Sequence, residues 1–128
     1  MAFHSPISKA RGLGTAKEGS HHWLAQRMTA LALIPLCIWF VAFVMQLAGT
    51  GLDGAKAVAL IAKPCNALLS ILFIIAAFYH GALGLQAVLE DYMPGKLRKI
   101  IAVMLVKLTC FATASAGIFA VLSIYFKG

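Results

Sequence analysis

MTALALIPLCIWFVAFVMQLA, residues 28–48, contains no charged side chain in 21 consecutive positions. At about 1.5 Å per residue, a helix of this length measures roughly 31 Å, which is the thickness of a bilayer's hydrocarbon core. Two further apolar stretches follow at residues 64–89 and 100–126, and Lys107 is the only charge within them. We therefore predict an all-α integral membrane protein with three transmembrane helices.

The composition of the whole chain agrees with this class. Of the 128 residues, 62% are hydrophobic and 12% charged, and the mean hydropathy is +0.91. Soluble domains carry about 25% charged residues, and a domain this small could not bury so many apolar side chains. The apolar content also excludes a disordered chain. Membrane lipid is the expected surrounding, and we expect no nucleic-acid partner.

The net charge of +7 indicates how the helices are oriented. Lys and Arg residues favour the cytoplasmic side of a membrane. Seven of them lie in the N-terminal segment and in the second connection: Lys9, Arg11, Lys17, Arg27, Lys96, Arg98 and Lys99. We therefore predict a cytoplasmic N-terminal arm at residues 1–27 ahead of the anchor at 28–128, with an interfacial helix near residues 55–62 on the opposite side.

His80 is the only histidine inside a predicted span. With about 100° per residue, Gly84, Ala87 and Asp91 all lie within roughly 40° of its direction on a helix. The face thus carries an imidazole beside small residues that leave room for a flat, bulky group. Ionisable side chains within a membrane are costly and are often functional. A hydrogen bond from the imidazole to a neighbouring helix is the simpler alternative.

Imidazole is a common axial ligand of haem iron. A haem b with two histidine ligands would need a second histidine from another polypeptide, because this chain has only His80 within its predicted spans. The chain would then belong to a hetero-oligomer. Asp91 and Tyr92 lie about 16 Å further along the helix, at the predicted cytoplasmic surface. Alternatively, they are an ordinary solvated carboxylate and an aromatic of the interfacial belt.

A second polar cluster, SHHWLAQRMTA at residues 20–30, precedes the first span. It contains His21, His22 and Arg27 beside the interfacial Trp23. Such a cluster binds lipid headgroups, or pairs with buried carboxylates such as the propionates of a haem. The residues alone leave both interpretations open.

These two motifs, SHHWLAQRMTA and HGALGLQAVLEDY at residues 80–92, resemble those of the hydrophobic membrane anchor subunits of succinate dehydrogenase, the SdhD-type subunits of respiratory complex II. The resemblance covers nearly the whole chain and implies a bacterial cytoplasmic membrane protein, more readily than a mitochondrial one. It implies three partners: an SdhC-type cytochrome b subunit, an iron-sulfur subunit and a flavoprotein subunit. It also implies a non-catalytic anchor, with the succinate chemistry in the other subunits.

The resemblance assigns roles to individual residues. It implies that His80 is the axial ligand of haem b iron that this subunit donates, and that His21 and Arg27 lie near the haem propionates. It further implies that Tyr92 bonds a carbonyl of ubiquinone, with Asp91 beside it. No such role is implied for His22.

Three other functions remain open from the sequence. An anchor of a quinol-fumarate reductase or another cytochrome b is the nearest, although a chain holding a whole haem should carry two histidines within its spans. A proton-coupled transporter subunit would use His80 and Asp91 in a proton path. A structural assembly factor would need neither His80 nor Tyr92.

Overall fold

The structure, a computed structural model, describes residues 16–51 and 53–127. Four helices make up almost all of this part, and no strand occurs within it: α1 is Ala16–Ala48, α2 is Gly54–Ile61, α3 is Pro64–Tyr92 and α4 is Lys96–Lys127. Three of them, α1, α3 and α4, are long and apolar enough to cross a membrane. The prediction of an all-α chain with three candidate spans is confirmed.

The helices extend further than the apolar stretches. Helix α1 begins at Ala16, so part of the predicted arm 1–27 is helical; residues 1–15, with Lys9 and Arg11, lie outside the described residues. Helix α3 continues through Asp91, and α4 begins at Lys96. A helix satisfies its backbone hydrogen bonds internally, so it can continue from the hydrocarbon into the headgroup region. The uncharged stretches marked only the apolar part of each helix.

Capping residues define the first connection. The Asp53 carboxylate accepts hydrogen bonds from the backbone N–H groups of Ala55 and Lys56 at 3.0 and 3.3 Å, which caps the N-terminus of α2. Gly51 precedes it with a φ of +63°, a conformation that favours glycine. Pro64 occupies the first turn of α3, where its missing N–H costs nothing. The short helix expected near residues 55–62 is therefore present.

Helix α3 is the central element of the chain. It packs against both α1 and α4, whereas α1 and α4 share no comparable contact. Phe40 of α1 stacks on Phe73 of α3, and Gly117 of α4 lies against Ile74 of α3. The three long helices therefore form a single layer with two broad faces.

A single layer encloses almost no interior. The buried apolar side chains among the described residues are Phe43, Ala67, Ala82 and Leu83. In each long helix at most 6% of the most apolar window is buried within the chain. Cys37 and Cys65 are exposed, because no second layer of the described chain covers them. The apolar faces require lipid or the helices of another subunit.

Candidate functional site

The site is built around His80, which lies in the middle of α3 and is half-buried. Its Nδ1 atom lies 3.0 Å from the hydroxyl oxygen of Thr29 on α1. The helix on which His80 lies is thus joined through the imidazole to its neighbour. This is the inter-helix hydrogen bond that the sequence left open as the simpler role for His80, and it engages one ring nitrogen only.

The second ring nitrogen, Nε2, has no hydrogen-bond partner in residues 16–51 and 53–127 and is not enclosed by them. The surface of α3 close to His80 also has free space. A Cβ atom built on Gly81 or on Gly84 would meet no heavy atom of the described chain within 4 Å, apart from the helix's own neighbouring backbone. A free imidazole nitrogen and open space next to it fit a flat group bound through its metal.

The face of α3 that contains His80 contacts α1 along one part and is open along another. Phe73, two turns before His80, is stacked on Phe40 with the ring centroids 4.3 Å apart and the planes at 8°. His80 itself contacts α1 through Thr29. Open space is therefore shown beside Gly81 and Gly84, whereas the contact with α1 occupies the Phe73 side.

His21 and Arg27 lie on α1 and are exposed. The Arg27 guanidinium lies over the ring of Trp23, 5.5 Å from its centroid. It forms no salt bridge with a carboxylate of the described chain. At about 100° per residue, Arg27 points roughly 200° away from Thr29 around α1. The chain does not bring Arg27 and His80 together, and Arg27 is left available to an anion from outside it.

Asp91 and Tyr92 form the C-terminal end of α3 and are both exposed; 83% of Tyr92 is accessible. Neither side chain makes a hydrogen bond within the part of the chain that the structure describes. The neighbouring Glu90 differs, because its backbone carbonyl accepts from Lys99 Nζ at 2.6 Å and its carboxylate accepts from Gln86 at 2.7 Å. The phenol and the carboxyl of Asp91 are thus free to meet another molecule.

Two polar groups near the site, Thr29 and Gln86, were not identified from the sequence. Thr29 is one, and its pairing with His80 depends on how α1 and α3 are aligned. Gln86 is the other, and its Oε1 atom, like Nε2 of His22, is enclosed without a hydrogen-bond partner among the described residues. Seven residues separate His22 from Thr29, and six separate Gln86 from His80, so both lie at a similar depth on antiparallel helices. The only signal in the sequence that could have pointed to these groups was a polar residue within or beside an apolar span.

A cleft of about 640 Å³ lies elsewhere, between α3 and α4. Its lining is largely apolar, with Tyr79, Lys107 and Ser115 as its polar members. His80 does not line it. The histidine site and this cleft are separate features of the layer.

Comparisons with known proteins agree with the helical arrangement. The family described as succinate dehydrogenase/fumarate reductase transmembrane subunit matches residues 1–114. Similar proteins named succinate dehydrogenase hydrophobic membrane anchor subunit occur in several bacteria. The one from Rickettsia bellii is 38% identical over 120 residues, covering 93% of this chain and 94% of the relative.

Two further relatives carry the same name. The protein from Rickettsia conorii is 33% identical over 127 residues, with 98% of this chain and 97% of the relative covered. The protein from Paracoccus denitrificans is 31% identical over 120 residues, which cover 94% of this chain and 91% of the relative. The likeness therefore extends over nearly the full length of each relative.

Proposed function

Since the chain belongs to the family of succinate dehydrogenase/fumarate reductase transmembrane subunits, we propose that it anchors a succinate dehydrogenase in a bacterial membrane, binds haem b jointly with a partner subunit and contributes to a ubiquinone site. The anchor role rests on the named relatives and on the three apolar helices. The chain is a non-catalytic subunit, and succinate is oxidised by other subunits. The haem and quinone roles rest on the geometry around His80 and Tyr92.

The partners follow from this role. A flavoprotein and an iron-sulfur subunit would oxidise succinate and pass electrons to the membrane. A cytochrome b-type anchor would lie against the open face of the helical layer and complete the bundle. That layer buries only four apolar side chains among the described residues, so a large apolar surface is available for such a partner.

The observation that carries the haem proposal is the state of the His80 ring. Its Nδ1 is hydrogen-bonded to Thr29, its Nε2 is free in the described chain, and Gly81 and Gly84 leave open space beside it. Imidazole held by one nitrogen is the usual arrangement of a metal-ligating histidine. A bound haem b would supply one-electron redox chemistry. The partner subunit would contribute the second axial histidine.

His21 and Arg27 are proposed to hold the haem propionates. Arg27 has no carboxylate partner within the described residues, and the Trp23 ring limits the directions its guanidinium can take. A guanidinium pairs with a carboxylate through two parallel hydrogen bonds, which suits a propionate. Because Arg27 points away from Thr29, a propionate would reach its guanidinium on the side of α1 away from Thr29.

The quinone site is proposed at the end of α3. Reduction of ubiquinone to ubiquinol consumes two electrons and two protons. The Tyr92 hydroxyl can donate a hydrogen bond to a quinone carbonyl, and the Asp91 carboxyl can pass protons from water. Both side chains are exposed at the helix end, where water and the soluble subunits are accessible. The charge distribution favours the cytoplasmic side for this end and for the N-terminus.

The decisive experiment is a reduced-minus-oxidised absorbance spectrum of the complex purified with its partner subunits. We expect His80→Ala to abolish the b-type signal while the chain still co-purifies with the flavoprotein. His22→Ala is the matched control, since it removes a histidine of the adjacent helix and should leave the signal unchanged. A normal b-type spectrum in His80→Ala would refute the ligand assignment.

A further inference from the structure

We infer that the Thr29 hydroxyl sets the tautomer and the orientation of His80, so that the imidazole presents an unprotonated Nε2 to the metal. This inference rests on the proposed haem site and adds a positioning residue to it. Thr29 lies on α1 and His80 on α3, and the 3.0 Å contact between them joins two helices at the depth of the proposed haem. Thr29 itself would touch neither the iron nor the quinone.

The direction of this hydrogen bond follows from counting protons. A threonine hydroxyl has one proton to donate and two lone pairs that can accept. Thr29 Oγ1 lies 2.8 Å from the carbonyl oxygen of Ala25 and 3.1 Å from that of Gln26. Two oxygens 2.8 Å apart repel each other unless a proton lies between them, so the hydroxyl proton points to the α1 backbone. The lone pairs of Oγ1 are then left for His80 Nδ1, which must be the donor.

The same backbone hydrogen bond occurs elsewhere in the chain. Thr113 donates to the carbonyl oxygen of Thr109 at 2.8 Å, and Ser115 donates to that of Phe111 at 2.8 Å. Neither has a histidine as a second partner in the described residues. Thr113 and Ser115 thus give their proton to the carbonyl four residues earlier, as Thr29 does to Ala25. Thr29 differs in having an imidazole beside its lone pairs.

The consequence concerns the other side of the ring. A neutral imidazole carries one N–H, so a proton held on Nδ1 leaves the Nε2 lone pair free to bind a metal. Threonine is β-branched and has few side-chain conformations in a helix, so its oxygen has a nearly constant position. The N–H that donates to Thr29 also raises the basicity of the ligand nitrogen. Basic ligands favour ferric over ferrous iron.

The test compares haem binding and haem potential in the purified complex. Thr29→Val keeps the shape of the side chain and removes the hydroxyl, and Thr29→Ser keeps the hydroxyl. Thr113→Val is the matched control, because it removes the same backbone hydrogen bond from a helix without a histidine partner. The readouts are the rate of haem transfer to apomyoglobin and the midpoint potential from an optical redox titration. Neither depends on turnover.

We expect Thr29→Val to lose haem about tenfold faster. Its midpoint potential should rise, by about 59 mV if the preference for ferric iron falls tenfold. Thr29→Ser and Thr113→Val should resemble the unmodified complex. Should Thr29→Val fail to assemble, Thr29→Ala against Thr29→Ser gives the same comparison.

The inference is overturned if Thr29→Val matches the unmodified complex in both readouts, if Thr29→Ser behaves like Thr29→Val, or if Thr113→Val shows the same change. An unmodified complex without a b-type haem would instead refute the proposed haem site, and it is recognised before any variant is made.

Discussion

Phe40 of α1 and Phe73 of α3 are stacked nearly parallel, with their ring centroids 4.3 Å apart and an angle of 8° between the planes. The pair lies three turns from Thr29 on α1 and two turns from His80 on α3. It therefore aligns the two helices at one level while the hydrogen bond aligns them at another. Two contacts along one interface define how α1 and α3 are placed, and with them the surroundings of the imidazole.

The first prediction concerns this stack. Offset aromatic pairs contribute about 0.5–1.5 kcal/mol beyond the area they bury. A double-mutant cycle of Phe40→Leu and Phe73→Leu should show coupling of that size in the free energy of unfolding, measured by titration with a denaturing detergent. Phe119 on α4 is 73% exposed and stacks on no ring of the described chain, so Phe119→Leu should be additive with Phe73→Leu. Additivity in the Phe40–Phe73 cycle would contradict the stack.

The second prediction contrasts two glycines. A Cβ on Gly117 would lie 3.3 Å from Ile74 Cδ1, whereas one on Gly84 would contact nothing within 4 Å outside its own helix. Gly117→Val should lower the free energy of unfolding by about 1–3 kcal/mol, because it overpacks the α3–α4 interface. Gly84→Val should leave that free energy nearly unchanged but lower the haem content, because the side chain fills the space beside His80.

Both variants are measured by haem-to-flavin ratio and by thermal unfolding of the complex. Full haem content in Gly84→Val would argue against a haem on that side of α3. A stable Gly117→Val would show that the α3–α4 contact relaxes more easily than the 3.3 Å distance indicates.

The third prediction concerns Tyr92. Tyr92→Phe removes only the hydroxyl, and it should lower succinate:ubiquinone reductase activity roughly a hundredfold, which is within the range for loss of a hydrogen-bond donor to the reacting oxygen. The b-type spectrum should be retained, because Tyr92 lies about 18 Å along α3 from His80. Tyr125→Phe is the control, since that tyrosine lies near the opposite end of the layer. Normal activity in Tyr92→Phe would remove the residue from the quinone site.

The fourth prediction concerns the orientation in the membrane. Cys65 lies in the first turn of α3 and is exposed, at the end opposite to Tyr92. In intact spheroplasts, a membrane-impermeant maleimide should label Cys65 from outside. Lys96→Cys in a Cys65→Ser background should react only in inverted vesicles. The reverse pattern would show that the N-terminus faces outward, against the distribution of Lys and Arg.

Helix positions and the central place of His80 in a span followed directly from the sequence. Whether a segment crosses a membrane depends on the summed transfer free energy of its own residues, which needs no knowledge of neighbours. The predicted helix ends were less accurate. Helices α1 and α4 begin at Ala16 and Lys96, ahead of the apolar stretches, because charged residues at the headgroup level do not stop a helix. The distances from His80 to Asp91 and Tyr92 along α3 also needed only the rise per residue.

The tertiary structure alone decided what surrounds the imidazole. Thr29 lies opposite His80, and Phe73 contacts α1 instead of a ligand. These relationships depend on how side chains of two helices interlock, and a shift of one residue along α1 would replace Thr29 with a different neighbour. Composition and periodicity therefore determined a three-span helical protein with one intramembrane histidine, while the packing of α1 on α3 determined which nitrogen of that histidine is free.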